Sequence, residues 1–160
     1  MKLYEQLLEM INAEVSFGYS TIHVYRAAEL ATGQVGYSVS PEGDILSGNG
    51  EGDWRDTWIV IGYDEILGDP IFIDTAEDTY PVYTAMHGEG YWAPERIAVS
   101  LEAFGHSLDA VAAVAKGREH PVALQEHPLL KSEKDELLAT IRRYNPKLDL
   151  GFWENFVTNV

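Results

Sequence analysis

The chain has 160 residues, no cysteine and a formal net charge of −15. Without cysteine there is no disulfide, no thiolate zinc site and no cysteine nucleophile. So acidic a chain repels phosphate backbones, which argues against nucleic acid as a partner, and it speeds encounter with a basic protein. A 46% hydrophobic composition supports one domain over 1–160 with its own core, and no apolar run approaches a membrane span.

The opening "MKLYEQLLEMINAE" lacks the layout of a secretory signal, so a cytoplasmic location is expected. Leu3, Leu7, Met10, Ile11 and Val15 recur at helical spacing and predict an amphipathic helix that Gly18 ends. "STIHVYRA" alternates and predicts a strand over 20–27; "AAELATGQVGY" predicts a short helix, weakened by two glycines. Residues 38–56, rich in glycine and acid, read as a loop with at most a small hairpin around Asp44 to Leu46.

Next come "TWIVIGYD" and "PIFID". Neither face of these runs is polar, so both strands are expected to be covered on both sides. The break at 64–69 suits a hairpin, and "YPVYTAM" reads as a third strand with Pro81 at its start. Short connections between strands predict an antiparallel meander. Helices follow. Ser100 is the expected N-cap of a helix burying Leu101, Phe104, Leu108, Val111 and Ala115, with Gly117 as stop. Residues 118–131 read as a loop holding the near-repeat "EHPVAL" and "EHPLLK". A helix from Ser132, capped by Asp135, runs to Asn145-Pro146, and "DLGFWENFV" forms a last short helix. The expected class is α+β: a curved antiparallel meander wrapped by N- and C-terminal helices.

Candidate chemistry is thin. Asp74 ends a buried run as nucleophilic acids do, but the second acid two residues on, which would protonate a leaving group, is absent. An aspartate there more simply bonds the backbone of the next turn. "GNGEGDWRD" is a single copy of a Gly/Asp pattern that needs stacked copies to bind calcium. The five histidines form no i,i+4 pair, and neither a phosphate-binding glycine loop nor a serine elbow occurs. No metal, cofactor or catalytic residue is expected. What does stand out is two clusters joining acids to aromatics, on opposite sides of the strand block: Asp53, Trp54, Asp56 and Trp58 in one, Glu89, Tyr91, Trp92 and Glu95 in the other. Such residues can stack on sugars or anchor a protein partner, and most often are simply core. Trp58 reads as core, whereas Trp54 and Trp92 are expected to be partly exposed.

The ordered series "DWRDTWIVIGYDEILGDPIFID", "PVYTAMHGEGYW" and "RIAVSLEAF" resembles the SUKH superfamily of Smi/Knr-type proteins. The resemblance rests on Trp58, Gly62, Gly68, Asp74, Pro81, Ser100 and Phe104 and covers about 20–108, leaving 109–160 as a helical extension. The front departs from the family's proline-led helix. The resemblance implies a curved sheet wrapped by helices without a catalytic centre. Bacterial members are immunity proteins that bind and neutralise a toxin, often a nuclease; fungal relatives regulate cell-wall synthesis. A protein partner such as a basic toxin is therefore expected, the alternatives being a glycan-binding or glycan-processing protein, or a housekeeping interaction regulator.

Overall fold

A computed structural model describes residues 1–158. The architecture is α+β: six antiparallel strands in the order β1 to β6, a curled meander in which each strand pairs with its neighbour in sequence. The chain enters through helix α1 (Leu3–Met10) and forms the hairpin β1 (Glu14–Phe17) and β2 (Ser20–Val24). A 3-10 turn, Ala27–Glu29, leads into the single-turn helix α2 (Leu30–Gly33). After a long loop come β3 (Trp58–Asp64), β4 (Pro70–Asp74), β5 (Val82–Thr84) and β6 (Glu95–Ala98). The helices α3 (Leu101–Ala115), α4 (Pro121–Glu126), α5 (Lys131–Tyr144) and α6 (Gly151–Thr158) complete the described chain.

The first helix is shorter than its apolar spacing predicts. Ile11 leaves the helix with extended backbone, and Val15 and Phe17 turn inward on a strand instead. Val15 satisfies both periods, so spacing alone does not separate them. Gly18 is not a helix stop. With φ +58 it takes the first place of the two-residue turn between Phe17 and Ser20, where a tight hairpin favours glycine.

The central strands are covered on both faces, as their sequence implies. Ile61, Ile71, Ile73, Val82 and Ile97 join the core that α1, α3, α5 and α6 close. Val60, Phe72 and Ala85 face the other way, under the long loops. A bulge between Val60 and Gly62 breaks the β3–β4 register. Gly62 itself is enclosed: a Cβ there would fall on the His23 carbonyl oxygen and lie 3.1 Å from Val24 Cα. Asp74 ends β4 by accepting the Ala76 N–H at 2.9 Å, the turn-binding role.

Among the helices, Ser100 caps α3 by accepting the Ala103 N–H at 3.0 Å. Ser100→Ala is expected to cost about 1 kcal/mol in urea unfolding. An unchanged midpoint would show that another group takes over the Ala103 donor. The loop expected at 118–131 contains α4, which Pro121 opens at a position needing no N–H. The second copy of the near-repeat is a connection into α5. That helix starts at Lys131, one residue earlier than expected, so Glu133 and not Asp135 caps it, through the Leu130 N–H at 3.1 Å. The last two helices also close the free side of β6. Trp153 Nε1 donates to Ile97 O at 2.8 Å, and Asn145 Oδ1 accepts the Val99 N–H at 2.9 Å.

Candidate interaction surface

The two acid and aromatic loops, far apart in sequence, meet over the helix-free face of the sheet. Trp92 N donates to Gly52 O at 2.8 Å, and Tyr91 Cβ lies where a side chain on Gly52 would begin. Gly52 has φ +81, so both its conformation and its surroundings require glycine. Within the first loop, Asp53 accepts the Gly50 N–H at 2.8 Å, and Ser47 donates to Asp56.

Trp54 is not exposed. It is 2% accessible and forms the hub of an aromatic cluster, with ring centres 4.7 Å from Phe72, 5.1 Å from Tyr37 and 5.2 Å from both Trp58 and Trp92. The bare second face of the sheet supplies apolar area that no helix covers, and the glycine-rich loop folds its tryptophan onto it. Among the described residues its indole N–H has no hydrogen-bond partner. Trp58 and Trp92 are half-buried around it. Asp53, Asp56, Glu89 and Tyr91 remain exposed.

A groove of about 600 Å³ opens between the β3–β4 turn, the strand ends beside the β5–β6 loop, and α6. Asp64, Asp69 and Glu95 line it together with Ile66, Leu67 and Met86. These three apolar side chains are 51%, 61% and 64% exposed, well beyond what a tight polar turn calls for. The turn holds them out because Asp64 Oδ1 accepts the Ile66 N–H at 2.8 Å and Gly68, at φ +73, reverses the chain. The signal was present in "DEILGD": two large aliphatics inside a charged turn have no core to enter.

Asp69 lies nearly buried where this groove approaches the aromatic cluster. It accepts from His87 Nδ1 at 2.6 Å and from the His87 backbone N–H at 3.1 Å. Burial, then the nearby Asp69 charge, pushes the Tyr37 phenol above the ordinary tyrosine range; burial, then Tyr63, does the same for Tyr25. The folded state thus holds these protons more tightly than the unfolded chain. Their contribution to stability is intact below the ordinary tyrosine range of about pH 10 and is lost as pH rises through the raised values. Alkaline difference spectroscopy is expected to show two tyrosines ionising late, and a single common ionisation step would contradict this.

His87 has a carboxylate partner, yet among the described residues no hydroxyl bonds its ring. Among the same residues no three metal-ligating side chains gather in one place. No described helix is long and apolar enough to cross a membrane. Comparison with protein-family models, with curated proteins and with solved structures finds no match to this chain.

Proposed function

We propose that this chain is a non-catalytic binding module that neutralises a basic protein by direct association in the cytoplasm, in the manner of the immunity proteins it resembles. One observation carries the reading. Carboxylates of the two loops (Asp53, Asp56 and Glu89, all exposed) and of the groove (Glu95, exposed, and Asp64, half-buried) accompany the exposed apolar side chains Tyr91, Ile66, Leu67 and Met86. None of the five forms a salt bridge with a lysine or arginine among the described residues. Acids left unpaired by their own chain supply the complementary field for a basic partner, while the apolar residues supply area to bury. The net charge of −15 and the curled meander agree with this reading.

A glycan-binding role draws less support. Trp54 is buried, so the loops offer a sugar only Tyr91 and part of Trp92 as stacking faces.

The test is association with the products of the adjacent genes, each purified separately. A basic partner is expected to form a salt-sensitive complex and to lose its toxicity on co-expression. If no adjacent basic product binds or is neutralised, the reading fails. Asp53→Lys combined with Glu89→Lys is expected to slow association by on the order of tenfold, with thermal stability little changed, because rim charges act mainly on encounter. An unaltered rate would remove these two residues from the surface.

A further inference from the structure

We infer that the groove beside the β3–β4 turn receives a segment of the partner that carries a large apolar side chain flanked by lysine or arginine. This deepens the binding-module reading and rests on it.

The lining holds three carboxylates and no lysine, arginine or histidine. Their acceptor capacity is only partly used. Asp64 Oδ1 serves the turn through Ile66 and Leu67, while among the described residues Asp64 Oδ2 and the Glu95 carboxylate have no hydrogen-bond or salt-bridge partner. Asp69 is held in place by His87 at 2.6 Å, and its side chain is 12% exposed, so one carboxylate is fixed in the groove wall.

Cations alone do not account for the rest of the groove. Ile66, Leu67 and Met86 stand more than half exposed on its rim, and Phe152 and Phe156 line it from α6. A purely basic ligand would leave that apolar area wet. A purely apolar ligand would strip water from Asp64 and Glu95 without replacing it. One apolar side chain between two basic ones meets both demands, and about 600 Å³ is ample for a single large side chain. The unbranched, polarizable Met86 can reshape around whichever apolar group enters. A second copy of this chain is a poor occupant, because at −15 each copy repels the other.

The probe is the peptide acetyl-Gly-Lys-Leu-Lys-Gly-amide, titrated at low salt into the isotope-labelled full chain and followed by amide chemical shifts. Shifts are expected at 64–69, 84–87, 93–95 and 152–156, with a dissociation constant of roughly millimolar order. Replacing leucine by serine in the peptide is expected to weaken binding by roughly tenfold, as the apolar burial is lost. Replacing both lysines by glutamate is expected to abolish it. In the protein, Asp64→Asn with Glu95→Gln is expected to weaken the peptide by roughly fivefold, the scale of exposed ion pairs. Asparagine retains an acceptor for the Ile66 N–H, and Glu95→Gln alone serves if the double variant misfolds. Absent shifts, shifts spread over the whole acidic surface, or equal binding of the serine peptide would each overturn the inference. An intact basic partner that binds the double variant unchanged would also overturn it, while leaving the binding-module reading standing. A peptide seated in the groove with no basic protein partner found would support the site and count against that reading.

Discussion

Gly62→Ala is expected to lower stability by about 3 kcal/mol, although alanine ordinarily improves a strand interior by roughly 0.5–1 kcal/mol. The sign reverses because of what surrounds the position. Gly62 is buried beside the β3–β4 bulge and pairs with Val24 on β2 and Ile71 on β4. The atoms an added methyl would meet are the His23 carbonyl and the Val24 backbone. A flexible side chain could swing away. A main chain hydrogen-bonded on both sides, with Tyr25 N donating to Ile61 O at 2.7 Å next door, cannot do so without breaking the β2–β3 pairing. In urea the midpoint should fall with little change in slope, and the melting temperature should drop by roughly 6–12 °C. A loss below about 1 kcal/mol would mean that β2 can retreat and that the glycine reflects no packing requirement.

Asn145→Ala is expected to cost about 3 kcal/mol, out of proportion to the few atoms removed. Asn145 is fully buried and serves three elements at once. Its Oδ1 accepts from Val99 N at 2.9 Å; its Nδ2 donates to Ser107 Oγ and to Ile141 O, each at 3.0 Å. Alanine leaves the part-buried Val99 N–H without its acceptor and the fully buried Ser107 hydroxyl without its donor. Asn145→Asp separates these losses. It keeps the acceptor for Val99 but places a carboxylate against the Ile141 carbonyl. Burial would raise the pKa of that carboxyl, so the folded state would bind its proton more tightly than the unfolded chain. The penalty should therefore be present at neutral pH and lift, relative to wild type, as pH falls through the raised value. A pH-independent difference from wild type would show that the aspartate reaches solvent.

The elements that could be read from sequence are those whose signals are local. The paired apolar runs of β3 and β4, the Ser100 cap and the buried stripe of α3 each declare themselves within a few residues. The misread ones depended on distant surroundings. Val15 fits a helix until Ile22 is placed opposite it. "ERIA" is too short and too charged at its start to announce β6, and it is a strand because Val82 and Thr84 are there to pair with it. Trp54 shows the same dependence at the candidate surface. Its glycine-rich neighbours suggest solvent, but an uncovered sheet face across the fold decides otherwise. The exposed acids at 53, 56 and 89 lie where composition suggests. The groove joins residues 64 and 95, and no short window of sequence contains both.

The free side of β6 has a consequence for how the chain is made. Because the strands pair in sequence order, each one emerging from a ribosome finds its neighbour already synthesised. Apart from the β2–β3 pairing, which spans the long loop, these contacts are between close neighbours in sequence. The cover for the last edge arrives late: Trp153, whose indole satisfies Ile97 O, lies 56 residues further along the chain. For that interval of translation the nascent sheet presents an unprotected edge, open to other chains. The C-terminal helices thus act as an end-stop that arrives after the sheet is complete, and a chain released before Trp153 is expected to associate with other chains through its open β6 edge.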